Sequence, residues 1–203
     1  MLFRSGHASA FSFYPTKNLG AFGDGGAVVT SDPAVARAAA MVRNYGWEPG
    51  RRYISEVRGI NSRLDEMQAA ILRVRLRHLN DANAARQRRA ALYDAALADV
   101  AGLVIPQRHE RSSHVFHLYV VRHERRDAIA AALAAEKIGT QIHYPLPVHR
   151  QPAYLDHGYP EGSLPETERA SREIMSLPLY PELPEADVVT VATAIRRAVE
   201  AGV

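Results

Sequence analysis

Four glycines crowd the stretch between two apolar runs near the start of the chain, and they limit what can be built there. The first run is Ala10-Phe11-Ser12-Phe13 and the second is Ala27-Val28-Val29-Thr30. Between them lie Gly20, then Gly23-Asp24-Gly25-Gly26, and a single lysine, Lys17. The runs predict two short strands, the first of them buried. The glycines permit a tight hairpin turn, or a loop whose backbone N–H groups converge on an anion. Both arrangements satisfy the pattern.

Lys17 is one of two lysines in a chain with 23 arginines. A position that needs only positive charge can be served by arginine. A position that must shed a proton and attack a carbonyl cannot, because a guanidinium stays charged while an amine can be neutral. Lys17 is therefore a candidate covalent lysine, able to form an imine with a carbonyl compound or with pyridoxal phosphate. An ordinary surface lysine is the competing reading. Ser12, five residues earlier, is placed to present a hydroxyl to a phosphate near that lysine, or to bond a neighbouring carbonyl as a buried serine.

Composition narrows the classes. At 203 residues and 47% apolar, the chain can hold one large or two small domains with a real core. With no cysteine, disulfides and thiolate chemistry are excluded. No run of about 18 apolar residues is present, so no membrane helix or membrane partner is expected. Met1 to His7 lack a basic-then-apolar signal segment, and the expected compartment is the cytoplasm. The net charge is only +3, and Arg51-Arg52 and Arg86-Arg88-Arg89 read as solvated faces, so no nucleic-acid partner is expected.

Along the chain, Ser31-Asp32-Pro33 predicts a helix start, with the helix running from Ala34 to Arg43. The segment 44–61 is irregular, a length that points to function or mobility. Ser62 then caps a helix, with Asp65 as the capping-box acid and Leu64, Met67, Ile71, Val74 and His78 along one face. After a break near Asn80-Asp81, helix resumes to Leu97 and is long enough to bridge two domains. Beyond it the expected order is a strand over 113–122, a helix over 126–137 ended by Gly139, and a short strand Ile142-His143-Tyr144 stopped by Pro145. Helices over 166–176 and 185–200 complete a small α/β unit. The domains expected are 1–98 and 99–203.

Asn61 and Arg63 flank the start of the long helix, where an arginine fork suits a carboxylate or phosphate; simple capping also explains Asn61. His143, Tyr144 and His149 share one proline-punctuated loop. Two histidines six apart do not match a zinc pattern, so no metal is expected and the loop reads as one that lines a substrate.

Together these segments resemble the DegT/DnrJ/EryC1/StrS sugar aminotransferases over nearly the whole chain. Five motifs in order carry the resemblance: Ser12-Phe13-Tyr14-Pro15-Thr16-Lys17-Asn18-Leu19-Gly20 with Gly23-Asp24-Gly25-Gly26; Arg43-Asn44-Tyr45-Gly46; Gly59-Ile60-Asn61-Ser62-Arg63-Leu64-Asp65-Glu66-Met67-Gln68; His143-Tyr144-Pro145-Leu146-Pro147-Val148-His149; and Leu177-Pro178-Leu179-Tyr180-Pro181. The resemblance implies the α/β fold of fold-type I aminotransferases: part of the large cofactor domain plus a small C-terminal α/β domain. It implies pyridoxal 5'-phosphate as cofactor, with Lys17 its covalent anchor and later proton carrier. Ser12 matches a phosphate ligand. Asn61 matches an asparagine that holds the cofactor phosphate of the other subunit in a homodimer with shared active sites. Arg63 matches a position that meets an anionic group of substrate or donor, and His143, Tyr144 and His149 match a wall of the sugar-nucleotide pocket. The implied substrates are a nucleotide-linked keto sugar, with 3-keto deoxysugars the nearest, and glutamate or glutamine as donor. A lysine at position 17, where dehydratases of the family carry histidine, points to amino transfer.

One departure bears on activity. Family members carry, ahead of the lysine segment, a region with a phosphate-cradling helix, a ring-stacking aromatic and an aspartate for the pyridinium nitrogen, whereas no Asp or Glu precedes Lys17 here. The expectation is a C-terminal portion that binds cofactor weakly or not at all by itself and associates through an open sheet bearing Phe11, Phe13 and Val28. The alternative function is a non-catalytic folding or dimerisation module.

Overall fold

The computed structural model describes residues 6–202, so most of the Met1 to His7 segment read above lies outside the described residues. The fold is α/β, and the chain divides into two compact units, Met1–Asn80 and Asp81–Val203.

The first unit begins with the antiparallel hairpin of β1 (Ser9–Ser12) and β2 (Gly26–Val29), paired from Ser9↔Val29 to Ser12↔Gly26. The strands match the sequence expectation but the burial does not: Phe11 is 47% exposed and Ala10 is exposed. Among the described residues the sheet has only these two strands, and Val28 is exposed as well. α1 (Pro33–Val42) follows, capped by Asp32, whose carboxylate accepts from the Ala34 N–H at 2.8 Å.

α2 (Glu66–Leu76) starts later than expected. Asp65, rather than Ser62, is the N-cap, accepting from the Gln68 N–H at 2.8 Å. Ser62 is committed elsewhere, because its N–H donates to the Arg43 carbonyl at 2.9 Å and keeps the chain extended there. The apolar stripe of α2 is also turned outward. Met67 is 76% exposed and Val74 is exposed, while Leu72 is the buried residue.

α3 (Leu79–Leu97) begins after a break at Arg77 and His78, a few residues before the expected one. The second unit is built on it. Tyr93 and Leu97 join Phe116, Tyr119, Val121, Ile129, Leu133, Met175, Val188 and Ile195 in one core. β3 (Tyr119–Arg122) pairs antiparallel with β4 (Ile174–Leu177), from Tyr119↔Leu177 to Arg122↔Ile174. The strand expected over 113–122 is thus confined to its last four residues. Phe116 takes a φ of 46°, and its N–H donates to His114 Nδ1 at 2.9 Å, which breaks the extended run.

α4 (Arg126–Ala135) packs with α6 (Glu185–Glu200), whose limits match the expectation to the residue. α5 (Pro165–Glu173) ends earlier than its helical pattern indicated, because pairing with β3 takes over at Ile174 and buries Met175 and Leu177. The strand expected at Ile142-His143-Tyr144 reduces to a single bridge, Gln141↔Ser176. Side chains of α3 fix the stretch after β4. Tyr93 Oη donates to the Pro178 carbonyl at 3.0 Å, Arg86 Nη1 to that of Leu179 at 2.8 Å, and Arg89 Nε to that of Leu183.

α4 is terminated by Lys137, not Gly139. Lys137 has a φ of 61°, and the Ile138 N–H reaches the Leu133 carbonyl at 2.9 Å in a Schellman-type stop. A side chain there bears a left-handed backbone that glycine adopts freely. Lys137→Gly is therefore expected to stabilise the protein by about 0.5–1 kcal/mol, the relief of strain exceeding the added chain entropy of glycine. Thermal melts of the two proteins check the sign.

Candidate functional site

Lys17 sits in a loop closed by its own backbone. The Phe13 N–H donates to the Gly25 carbonyl at 2.8 Å, extending the hairpin, and the Ala21 N–H returns to the Phe13 carbonyl at 2.7 Å. Within that closure the Lys17 N–H donates to the Tyr14 carbonyl at 2.9 Å, forming a turn. Gly20 passes so close beneath that a Cβ there would lie 2.4 Å from the Pro15 oxygen. Lys17 is half-buried on this fixed loop and Ser12, at the end of β1, is exposed, its Oγ accepting from the Tyr14 N–H at 3.3 Å. The glycine-rich run therefore closes a hairpin, and the lysine rides on the closure.

Asn61 and Arg63 are brought together: Arg63 Nε donates to Asn61 Oδ1 at 2.8 Å. Asn61 Oδ1 is thereby the accepting end, and its NH2 group is the donating end. The Arg63 guanidinium also lies 5.6 Å from the centre of the Tyr45 ring. The chain reaches this position through a closed loop. The Tyr45 N–H donates to the Ile60 carbonyl at 2.9 Å and the Ile60 N–H to the Val42 carbonyl at 2.8 Å, which pins the two ends of segment 44–61 together. Asn61 and Arg63 line a cavity of about 1130 Å³ with Phe11, Gly25, Val28 and Arg43; Ser12 and Lys17 are not part of its lining.

The other three candidates are in the second unit and have separate environments. Tyr144 is 70% exposed and lines a groove of about 620 Å³, with Pro147 and Val148 on the same wall and Thr167, Ala170 and Ile174 opposite. His143 turns to the sheet, its Nδ1 lying 3.0 Å from Ser176 Oγ. His149 is buried, its Nε2 lying 3.0 Å from Glu168 Oε1, and does not line the groove.

Sequence reasoning missed Glu168. It falls inside the helical pattern over 166–176, and nothing in that local pattern pairs it with a histidine 19 positions earlier. The His149 hydrogen bond, then the Gly162 N–H, hold its carboxyl below its ordinary value of 4.5. A lowered folded-state value gives stability that is complete above about pH 4.5 and lost as pH falls through the lowered value. Arg150 with Glu161, Arg169 with Glu166, and the Tyr159 ring also stand around this pair. Acid titration followed by hydrogen exchange should loosen segment 145–164 below pH 4.5, and Glu168→Gln should remove that dependence.

In chemical terms the first unit offers an amine on a fixed loop, an exposed hydroxyl, and an amide–guanidinium pair whose N–H donors suit an anion. By residue type, Lys17 and Ser12 fit the carbonyl and phosphate ends of a phosphorylated aldehyde, while the anion donors Asn61 and Arg63 line a separate cavity.

Comparison with known proteins gives the relatives. The sequence profile of the DegT/DnrJ/EryC1/StrS aminotransferase family matches residues 4–196. The chain is 50% identical over 188 residues to a dTDP-3-amino-3,4,6-trideoxy-alpha-D-glucose transaminase of Streptomyces venezuelae, covering 93% of this chain and 49% of that protein. It is 42% identical over 193 residues to a UDP-N-acetyl-3-dehydro-alpha-D-glucosamine 3-aminotransferase of Acidithiobacillus ferrooxidans, covering 95% and 51%. Its fold superposes on the crystal structure of S. venezuelae DesV in complex with a ketimine intermediate, with a TM-score of 0.91, 48% identity, and coverage of 96% and 52%. The chain spans about half the length of the curated relatives it matches.

Proposed function

The chain belongs to the DegT/DnrJ/EryC1/StrS aminotransferase family, and from that premise we propose that it serves amino transfer to a keto sugar carried on a nucleoside diphosphate, with pyridoxal 5'-phosphate as cofactor and glutamate or glutamine as donor. The observation that carries the reading is the fixed loop of Lys17, closed by the Phe13–Gly25 and Ala21–Phe13 hydrogen bonds. The closure sets the point from which the Lys17 side chain starts, and its primary amine is the group that covalent capture and later proton return need. Bound cofactor supplies the electron sink that lets a proton leave the carbon bearing the transferred nitrogen.

The chain's own groups take the following roles. Lys17 Nζ would hold the cofactor at its carbonyl, and the same amine would carry the proton to and from the reacting carbon. Ser12 donates to the cofactor phosphate. In a homodimer Asn61 donates its NH2 to the phosphate held by the other subunit, and Arg63, oriented by Asn61 and by the Tyr45 ring, meets an anionic group of donor or substrate. The groove wall bearing Tyr144, with His143 and His149 around it, faces the nucleotide-linked sugar. The relatives named for dTDP- and UDP-linked sugars support this substrate class.

Two lysines make the test simple. Incubation with excess pyridoxal phosphate, borohydride reduction and peptide mapping are expected to place the adduct on Lys17 far more than on exposed Lys137. Equal modification of the two would remove the assignment and favour the non-catalytic module.

A further inference from the structure

His149 and Glu168 are both buried and neither faces the groove, yet between them they tie its two walls together. Glu168 lies in the first turns of α5. It accepts from the Gly162 N–H through both carboxylate oxygens at 2.9 Å each, and from the Leu164 N–H at 3.5 Å. His149 Nε2 completes the set at 3.0 Å. His149 belongs to the 3-10 turn Val148–Arg150, entered through Pro147, and Pro147 and Val148 form one groove wall. Glu166, Thr167, Ala170 and Ser171, on another face of α5, form the other. One carboxylate therefore joins the turn at 148–150, the bend at 162–164 and the helix.

We propose that His149 and Glu168 are a positioning pair that sets the spacing of the groove walls and holds the segment that carries Tyr144, Pro147 and Val148 in place. Its value to catalysis rests on the reading above, in which this wall faces the nucleotide-linked sugar. Neither residue touches that ligand. An ionised carboxylate only accepts, so the shared hydrogen is on His149 Nε2 and the ring is fixed in that tautomer or fully protonated. Removing the imidazole leaves a buried carboxylate with backbone donors alone and takes away the bond that ties the turn at 148–150 to α5. A glutamine at 149 extends an amide nitrogen toward the place of Nε2 and retains the donor.

The test compares His149→Leu, His149→Gln and Glu168→Gln with the parent chain by hydrogen exchange. His149→Leu is expected to speed exchange across 145–164 by about tenfold, with the Gly162 amide among the most affected, while amides of α3 and α6 keep their rates. His149→Gln is expected to return most of that protection. Should His149→Leu not fold, Glu168→Gln carries the same expectation, since it keeps the volume and loses the charge. Parent-like exchange in either disrupting variant, or no rescue by glutamine, overturns the pair. Binding of thymidine diphosphate, followed by calorimetry, separates the two claims. Loosened exchange with weakened binding supports both, whereas loosened exchange with unchanged binding keeps the positioning pair and overturns the substrate-wall reading.

Discussion

Lys17→Arg should end borohydride-trapped labelling at position 17 while leaving the fold intact. The substitution keeps the positive charge and much of the length. What it removes is the option of a neutral, nucleophilic nitrogen, because a guanidinium does not lose its proton under working conditions. If Lys17 acted only through its charge, toward a phosphate for instance, arginine would serve as well or better. The expected result is loss of the Lys17 adduct to background, with labelling of Lys137 as in the parent. Stability should change by no more than about 1 kcal/mol, since the backbone bonds of Phe13, Ala21 and Gly25 that close the loop are kept. In any preparation active in amino transfer, turnover should fall by at least about a thousandfold, the scale seen when a covalent nucleophile is lost. Retained turnover in the arginine variant would rule out covalent capture there.

The second large effect concerns the backbone crossing within segment 44–61. A Cβ on Gly46 would lie 1.7 Å from the Val57 oxygen, and one on Gly59 would lie 2.1 Å from the Gly46 nitrogen. These neighbours are main-chain atoms and cannot swing aside. Gly59→Ala should therefore separate the two ends of the segment, breaking the Tyr45–Ile60 and Ile60–Val42 hydrogen bonds that bring Asn61 and Arg63 to their cavity. We expect a loss of about 3 kcal/mol or more, confined to the first unit, read as collapse of amide protection over 41–62. Gly50→Ala is the control. Gly50 also has a positive φ, 87°, but nothing lies within 4 Å of its built Cβ, so only the left-handed strain of about 1 kcal/mol applies. If the two substitutions cost the same, close approach is not what Gly59 serves.

How far the sequence could be read follows from where each signal resides. α6 was legible to its limits because its period and its proline-led start are local. The start of α2 was misread because Ser62 and Asp65 are both competent caps. The choice fell to a distant contact, the Ser62 N–H bonding to Arg43. β4 was hidden inside a helical pattern for a similar reason, since only pairing with β3 makes 174–177 extended. Lys17, Asn61 and Arg63 were legible as candidates from residue type and motif, whereas the burial of His149 was not. A histidine between prolines looks the same whether it faces a ligand or a glutamate 19 residues away.

Tyr93, Arg86 and Arg89 of α3 hydrogen-bond the stretch that follows β4 at its main-chain oxygens, those of Pro178, Leu179 and Leu183, while the Leu183 side chain is buried in the core. Every amino acid brings a carbonyl, so these hydrogen bonds ask nothing of the side chains that point away from the core. Outward-facing positions such as Tyr180, which is exposed, are therefore open to rewriting at little structural risk, and new surface chemistry can be trialled there while the anchorage on α3 stays in force.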